Sequence, residues 1–119
     1  MSKAAKSVYV FGVYLVVAGT GFLLIPNLVL GTLGVPPTTE VWIRVLGLVV
    51  TVLGIYYVAA ARSGATLYFL VSVWVRSAFL VAMIAFVALG LAPLPLVGFG
   101  IVDALGALWT GLSLRAERA

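Results

Sequence analysis

The sequence predicts an all-α integral membrane protein, a four-helix bundle of two antiparallel hairpins with both termini cytoplasmic. Three observations carry this reading. Hydrophobic residues make up 65% of the 119 residues and charged ones 8%, whereas a soluble domain carries about a quarter charged residues. Mean hydropathy is +1.31, so lipid must be the solvent over most of the surface. Five of the seven Lys and Arg residues, finally, gather on the ends and loop of one side.

The length suits one domain, 1–119. Cysteine and histidine are absent, which removes disulfides, thiolate and imidazole chemistry, and the usual zinc, haem and iron–sulfur ligand sets. No metal or cofactor is expected.

The first span is expected over residues 8–25. Pro26 stops it, because proline disfavours helical geometry in the residue before it. Lys3 and Lys6 resemble the start of a signal peptide. The apolar run behind them is longer than the ~7–15 residues of a signal h-region, so it reads as a true span. Residues 26–38, PNLVLGTLGVPPT, are apolar for a loop and read as a short interfacial helix begun by Asn27, or a flap.

The second span is expected over 39–61, after the turn signal Val35-Pro36-Pro37, and ends in a tight turn at Arg62-Ser63-Gly64. The third covers 65–89 and the fourth 94–114, separated by the break from Gly90 to Pro95. The tail Arg115–Ala119 reads as a solvated anchor. Gly12 and Gly19, seven apart, predict one smooth face for close helix contact, with Gly47 and Gly54 in the second span.

Lys3, Lys6, Arg62, Arg115 and Arg118 fall on one side; the other two loops carry no Lys or Arg. The positive-inside rule makes that side cytoplasmic, in an inner membrane if the source is bacterial. The net charge of +4 then needs no nucleic acid to explain it. Tyr9, Tyr56, Tyr57, Tyr68 and Trp109 on the inside, with Trp42 outside, are assigned to interfacial belts.

Charges inside the spans are the candidate site. At ~1.5 Å per residue, Arg76 and Asp103 each lie roughly 16 Å from the cytoplasmic end, on consecutive helices. Either charge is costly at that depth, by about 2.5–3.5 kcal/mol, which predicts an Arg76–Asp103 ion pair facing the interior. Glu40 and Arg44, spaced i, i+4, are expected to continue a polar column to the outer surface. Ser72 and Trp74 on the third span, Thr51 on the second and Thr110 on the fourth are expected beside it.

The column reads in two ways. One is a structural staple that fixes the packing register. The other is an outward-opening site in which either Arg meets a carboxylate, phosphate or carbonyl group.

Four spans in so short a chain suggest small multidrug transporters and fluoride channels. The former carry a glutamate in the first helix, and this one has no acid; the charge bias also argues against the dual topology common in both. The Pro-terminated stretch GFLLIPNLVLGTLG, the start RVLGLVV of the second helix and the paired hairpins are similar to small bacterial four-helix membrane proteins of the DoxX-like kind. That resemblance implies their fold and a role beside respiratory or redox membrane enzymes. It supplies no catalytic residues.

The expected function is therefore a non-enzymatic membrane protein. Its charged site would bind a lipid head group or small amphiphile, or dock a membrane partner, and a homo-oligomer is compatible. Two alternatives stay open: a transporter or channel in which Asp103 or Glu40 exchanges a proton or ion, and an isomerase-type enzyme using either as acid/base.

Overall fold

A computed structural model describes residues 1–118; Ala119, the end of the expected anchor, lies outside the described residues. The chain is all-helical: α1 (Lys3–Leu24), α2 (Pro26–Thr32), α3 (Trp42–Ser63), α4 (Thr66–Ala88) and α5 (Val97–Arg118), the last preceded by a 3₁₀ turn at Leu94–Leu96. Four of these helical stretches are 22 to 24 residues long and apolar enough to cross a membrane.

Local chemistry sets the helix ends. Ser2 caps α1 by accepting a 3.0 Å hydrogen bond from the Ala5 amide, so the helix starts at Lys3, ahead of the expected Val8. At the other end Ile25 leaves helical geometry (φ −135°), and Pro26 opens α2 at the position where its missing N–H costs nothing. Asn27 is therefore not the cap of α2. Its Oδ1 accepts from the Thr38 amide at 2.8 Å, tying the following loop back over the helix.

The second long helix starts at Trp42, not Thr39. Thr38 Oγ1 accepts from the Glu40 amide at 3.1 Å, a side-chain turn that competes with helix formation. Gly64 ends α3 in the left-handed region (φ 69°) and Gly90 follows α4 in the same way (φ 73°), both costly for residues with a Cβ.

Packing is uneven. α1 and α3 touch backbone to backbone: a Cβ at Gly19 would lie 2.5 Å from the Thr51 amide nitrogen and 2.7 Å from Gly47 O. At Gly12 it would lie 2.9 Å from Tyr57 Cβ and 3.0 Å from Gly54 O. Between α4 and α5, Val73 meets Gly111 and Leu80 meets Gly100, so numbering falls along one helix as it rises along the other.

The core is concentrated toward the end that holds the chain termini, in Ala4, Val8, Phe11, Tyr57, Ala61, Phe69 and Leu114. α4 buries Phe69, Ser72 and Arg76, and nothing beyond Arg76. Its second half is only partly covered, with Phe79, Leu80, Met83 and Val87 half-buried.

Candidate site at Arg76

Arg76 is the largest side chain among those fully buried, 2% exposed. In a helix a long side chain leans toward the N-terminus over the preceding turn. The guanidinium accordingly folds back on Ser72: Nε donates to Ser72 O at 3.2 Å and Nη2 to Ser72 Oγ at 3.1 Å. Nη2 also crosses to α5, donating to Thr110 Oγ1 at 2.8 Å.

The hydroxyls continue the chain of donors. Ser7 Oγ donates to Ala4 O at 2.7 Å, so its proton is committed, and the 2.7 Å contact with Thr110 Oγ1 then has Thr110 donating. A directed line runs from Arg76 through Thr110 and Ser7 to the first turn of α1, where the Ala4 amide donates to Glu117 Oε1 at 3.1 Å. Each hydroxyl presents its oxygen toward the positive charge and passes its proton away from it.

Two rings complete the enclosure. The guanidinium carbon stands 4.7 Å from the Phe11 ring centroid and 5.7 Å from that of Tyr57, within the range where a ring face attracts a cation. Hydrogen bonds to a charged group contribute about 1.5–3 kcal/mol each, the same scale as the insertion cost of Arg. Hydroxyls, one carbonyl and ring faces thus hold this charge without a carboxylate.

The expected Arg76–Asp103 ion pair is not formed; there is no buried salt bridge among the described residues. The reason is directional. Gly106, not Asp103, lies against the guanidinium, and Asp103 stands three residues earlier in α5, about 4.5 Å of helix rise. Each side chain leans toward its own helix N-terminus, and the opposed numbering of α4 and α5 carries the two heads apart. Equal Cα depth does not bring the heads together. Asp103 remains half-buried.

The polar column is not assembled either. Glu40 precedes α3 and is exposed, so it has no i, i+4 relation to Arg44 on a helix. Arg44 turns to α1 instead, where Nη1 donates to Leu23 O at 2.6 Å and satisfies one of the carbonyls a helix end leaves open. Thr51 bonds Gly47 O at 2.8 Å inside the α1–α3 contact. Trp74 points away from the site, 73% exposed. Of the residues the sequence singled out, the structure gathers Arg76, Ser72 and Thr110.

Three members were missed. Tyr57, expected in an interfacial belt, is 5% exposed and stacks edge-on against Tyr68 at 5.3 Å. Phe11 resembles every other apolar residue of its helix. Ser7 carried the one available signal, a hydroxyl at the head of an apolar run.

Among the described residues one buried polar side-chain atom is left over. Arg76 Nη1 is enclosed and has no hydrogen-bond partner. It lies 2.9 Å from where a Cβ on Gly106 would stand, beside the Phe11 ring. Phe11 and Gly106 also line a cleft of about 240 Å³ between α1 and α5, with Ser7, Tyr14, Leu105 and Trp109. No protein family matches this chain, and no curated protein or solved structure is similar to it.

Proposed function

We propose that this is a non-enzymatic membrane protein that binds the carboxylate- or carbonyl-bearing head of a small amphiphile in the α1–α5 cleft. The observation that carries it is the enclosed, unpartnered Nη1 of Arg76 behind Gly106 and Phe11. A guanidinium N–H left without an acceptor in a low-dielectric interior is costly, and an oxygen that reaches it recovers that cost. The cleft is smaller than the roughly 300–1,000 Å³ of drug-sized sites, which fits a head group and the first part of a chain.

In this reading the four long helices form two antiparallel hairpins in a bacterial inner membrane, as in the DoxX-like proteins the sequence resembles. Both termini face the cytoplasm. The Ala4–Glu117 and Ser7–Thr110 hydrogen bonds support placing the two ends of the chain together. The Lys and Arg bias supports making that side cytoplasmic.

Trp109 lines the cleft and reports on it. With Trp42 and Trp74 replaced by Phe, decanoate is expected to shift Trp109 fluorescence saturably, and decanol at equal concentration much less. Gly106→Ala should abolish the response, since its methyl would occupy the approach to Nη1. A response that is unsaturable, or unchanged in Gly106→Ala, sinks the proposal.

A second reading rests on Asp103, a carboxyl within a membrane-crossing helix, half-buried and free of an ion pair with Arg76. Such a group can exchange a proton or ion across the bilayer. Liposomes carrying the protein and a proton gradient distinguish it: coupled flux lost in Asp103→Asn supports transport, and absence of flux removes it.

A further inference from the structure

A different face of α1 carries a second concavity, a groove of about 470 Å³ between α1 and α3. Its two ends differ in chemistry. Tyr9 and Arg62 lie at the end near the chain termini, and the walls continue through Val16 and Val58 to Val17 and Ile55. From Tyr9 to Val17 is eight residues, about 12 Å of helix rise, so the groove runs from the membrane edge toward the midplane.

The helix register makes the polar end more basic than Arg62 alone. Gly12 lies against Val58 and Gly19 against Thr51, a pairing that, extended, brings Arg62 level with the first two turns of α1. Lys3 and Lys6 stand there, both exposed, as is Arg62. Past Tyr9 the lining is valine, isoleucine and alanine, with no charge until the groove closes.

We infer that this groove seats one acyl chain of an anionic phospholipid from the leaflet on the side of the termini, with Arg62 and the Tyr9 hydroxyl holding its phosphate. The occupant follows from charge complementarity at one end and apolar walls along the rest. A basic group at a membrane surface attracts anionic lipid, and a guanidinium meets phosphate oxygens in bidentate geometry. A zwitterionic lipid fills the same walls but presents its own cation to Arg62. The site shares no residue with the Arg76 cleft and does not depend on the reading given to that cleft.

The test is native mass spectrometry of the protein released from nanodiscs of equal parts phosphatidylglycerol and phosphatidylcholine. Wild type is expected to retain one phosphatidylglycerol in preference to phosphatidylcholine. Arg62→Gln should lower that preference about fivefold, the change expected for one basic group at the membrane surface. Ala59→Phe, which fills the groove from an exposed position, should remove both lipids. Equal retention of the two lipids by wild type would overturn the inference, as would an undiminished lipid adduct in Ala59→Phe. Both variants change exposed side chains, and circular dichroism checks that helix content is kept.

Discussion

Arg76 shows how an apolar helical interior can hold a guanidinium without a carboxylate, and the arrangement makes removal of one hydroxyl more damaging than removal of the charge. Thr110→Val deletes the acceptor for Nη2 and the donor to Ser7 while leaving the positive charge enclosed. Taking a hydrogen-bond partner from an enclosed charged group costs about 1.5–3 kcal/mol, whereas an apolar side chain of similar volume has no charge left to desolvate. Thermal unfolding in detergent should therefore rank Thr110→Val as the less stable variant and Arg76→Met as the milder one. In the Arg76→Met background Thr110→Val should cost much less than in wild type. Equal costs in the two backgrounds would mean that Thr110 does not serve Arg76. Arg44 is a separate case: Arg44→Ala removes a cap on the α1 carbonyls and is expected to cost about 1 kcal/mol, read in the same melt. That Arg76 belonged to the interior was legible from its place in an apolar run. Its partners were not, because depth counted along Cα positions ignores the lean of side chains toward each helix N-terminus. That lean separates Asp103 from Arg76 and delivers Thr110 in its place.

Between elements, the α1–α3 contact depends on glycines that no side chain can replace. A Cβ at Gly47 would stand 2.5 Å from the Leu23 amide nitrogen and 2.6 Å from Gly19 O, both backbone atoms that cannot swing aside. Gly47→Leu is expected to separate the helices and to destabilise by more than the roughly 1–3 kcal/mol usual for overpacking. The loss should appear as a lower melting temperature and as proteolysis in the loop between α2 and α3. Gly98→Ala is the matching control, because nothing lies within 4 Å of the added methyl. It lowers the backbone entropy of the unfolded chain and should leave the melt unchanged or raise it. The seven-residue spacing of Gly12 and Gly19 was legible as a contact face, and the stop at Pro26 followed from proline's own geometry. The start of α3 was not legible, since Thr38 and Thr39 are as compatible with a helix as with the side-chain turn that Thr38 makes. That single turn removed Glu40 from the helix and with it the expected column.

At the scale of the whole molecule, burial is polarised along the long helices, and this bears on the proposed orientation. The tight core, the Arg76 network and the hydrogen bond between Ala4 and Glu117 all lie toward the end with the chain termini. The second half of α4 has no fully buried residue. The termini end also carries Lys3, Lys6, Arg62 and Arg115, all exposed, and basic flanks resist translocation. The absence of cysteine makes the orientation directly measurable, because any introduced thiol is unique. Ser2→Cys and Ser63→Cys should react with a membrane-impermeant maleimide in inverted vesicles and stay protected in intact spheroplasts. Thr39→Cys and Leu91→Cys should show the reverse. The reverse pattern at all four positions would put the termini outside, and the groove at Arg62 would then face the outer leaflet. Mixed labelling at every position would mean dual insertion, which the one-sided charge argues against. The proposed lipid site follows the orientation found here, because its basic end is fixed to the termini by helix register and not by the membrane's own polarity.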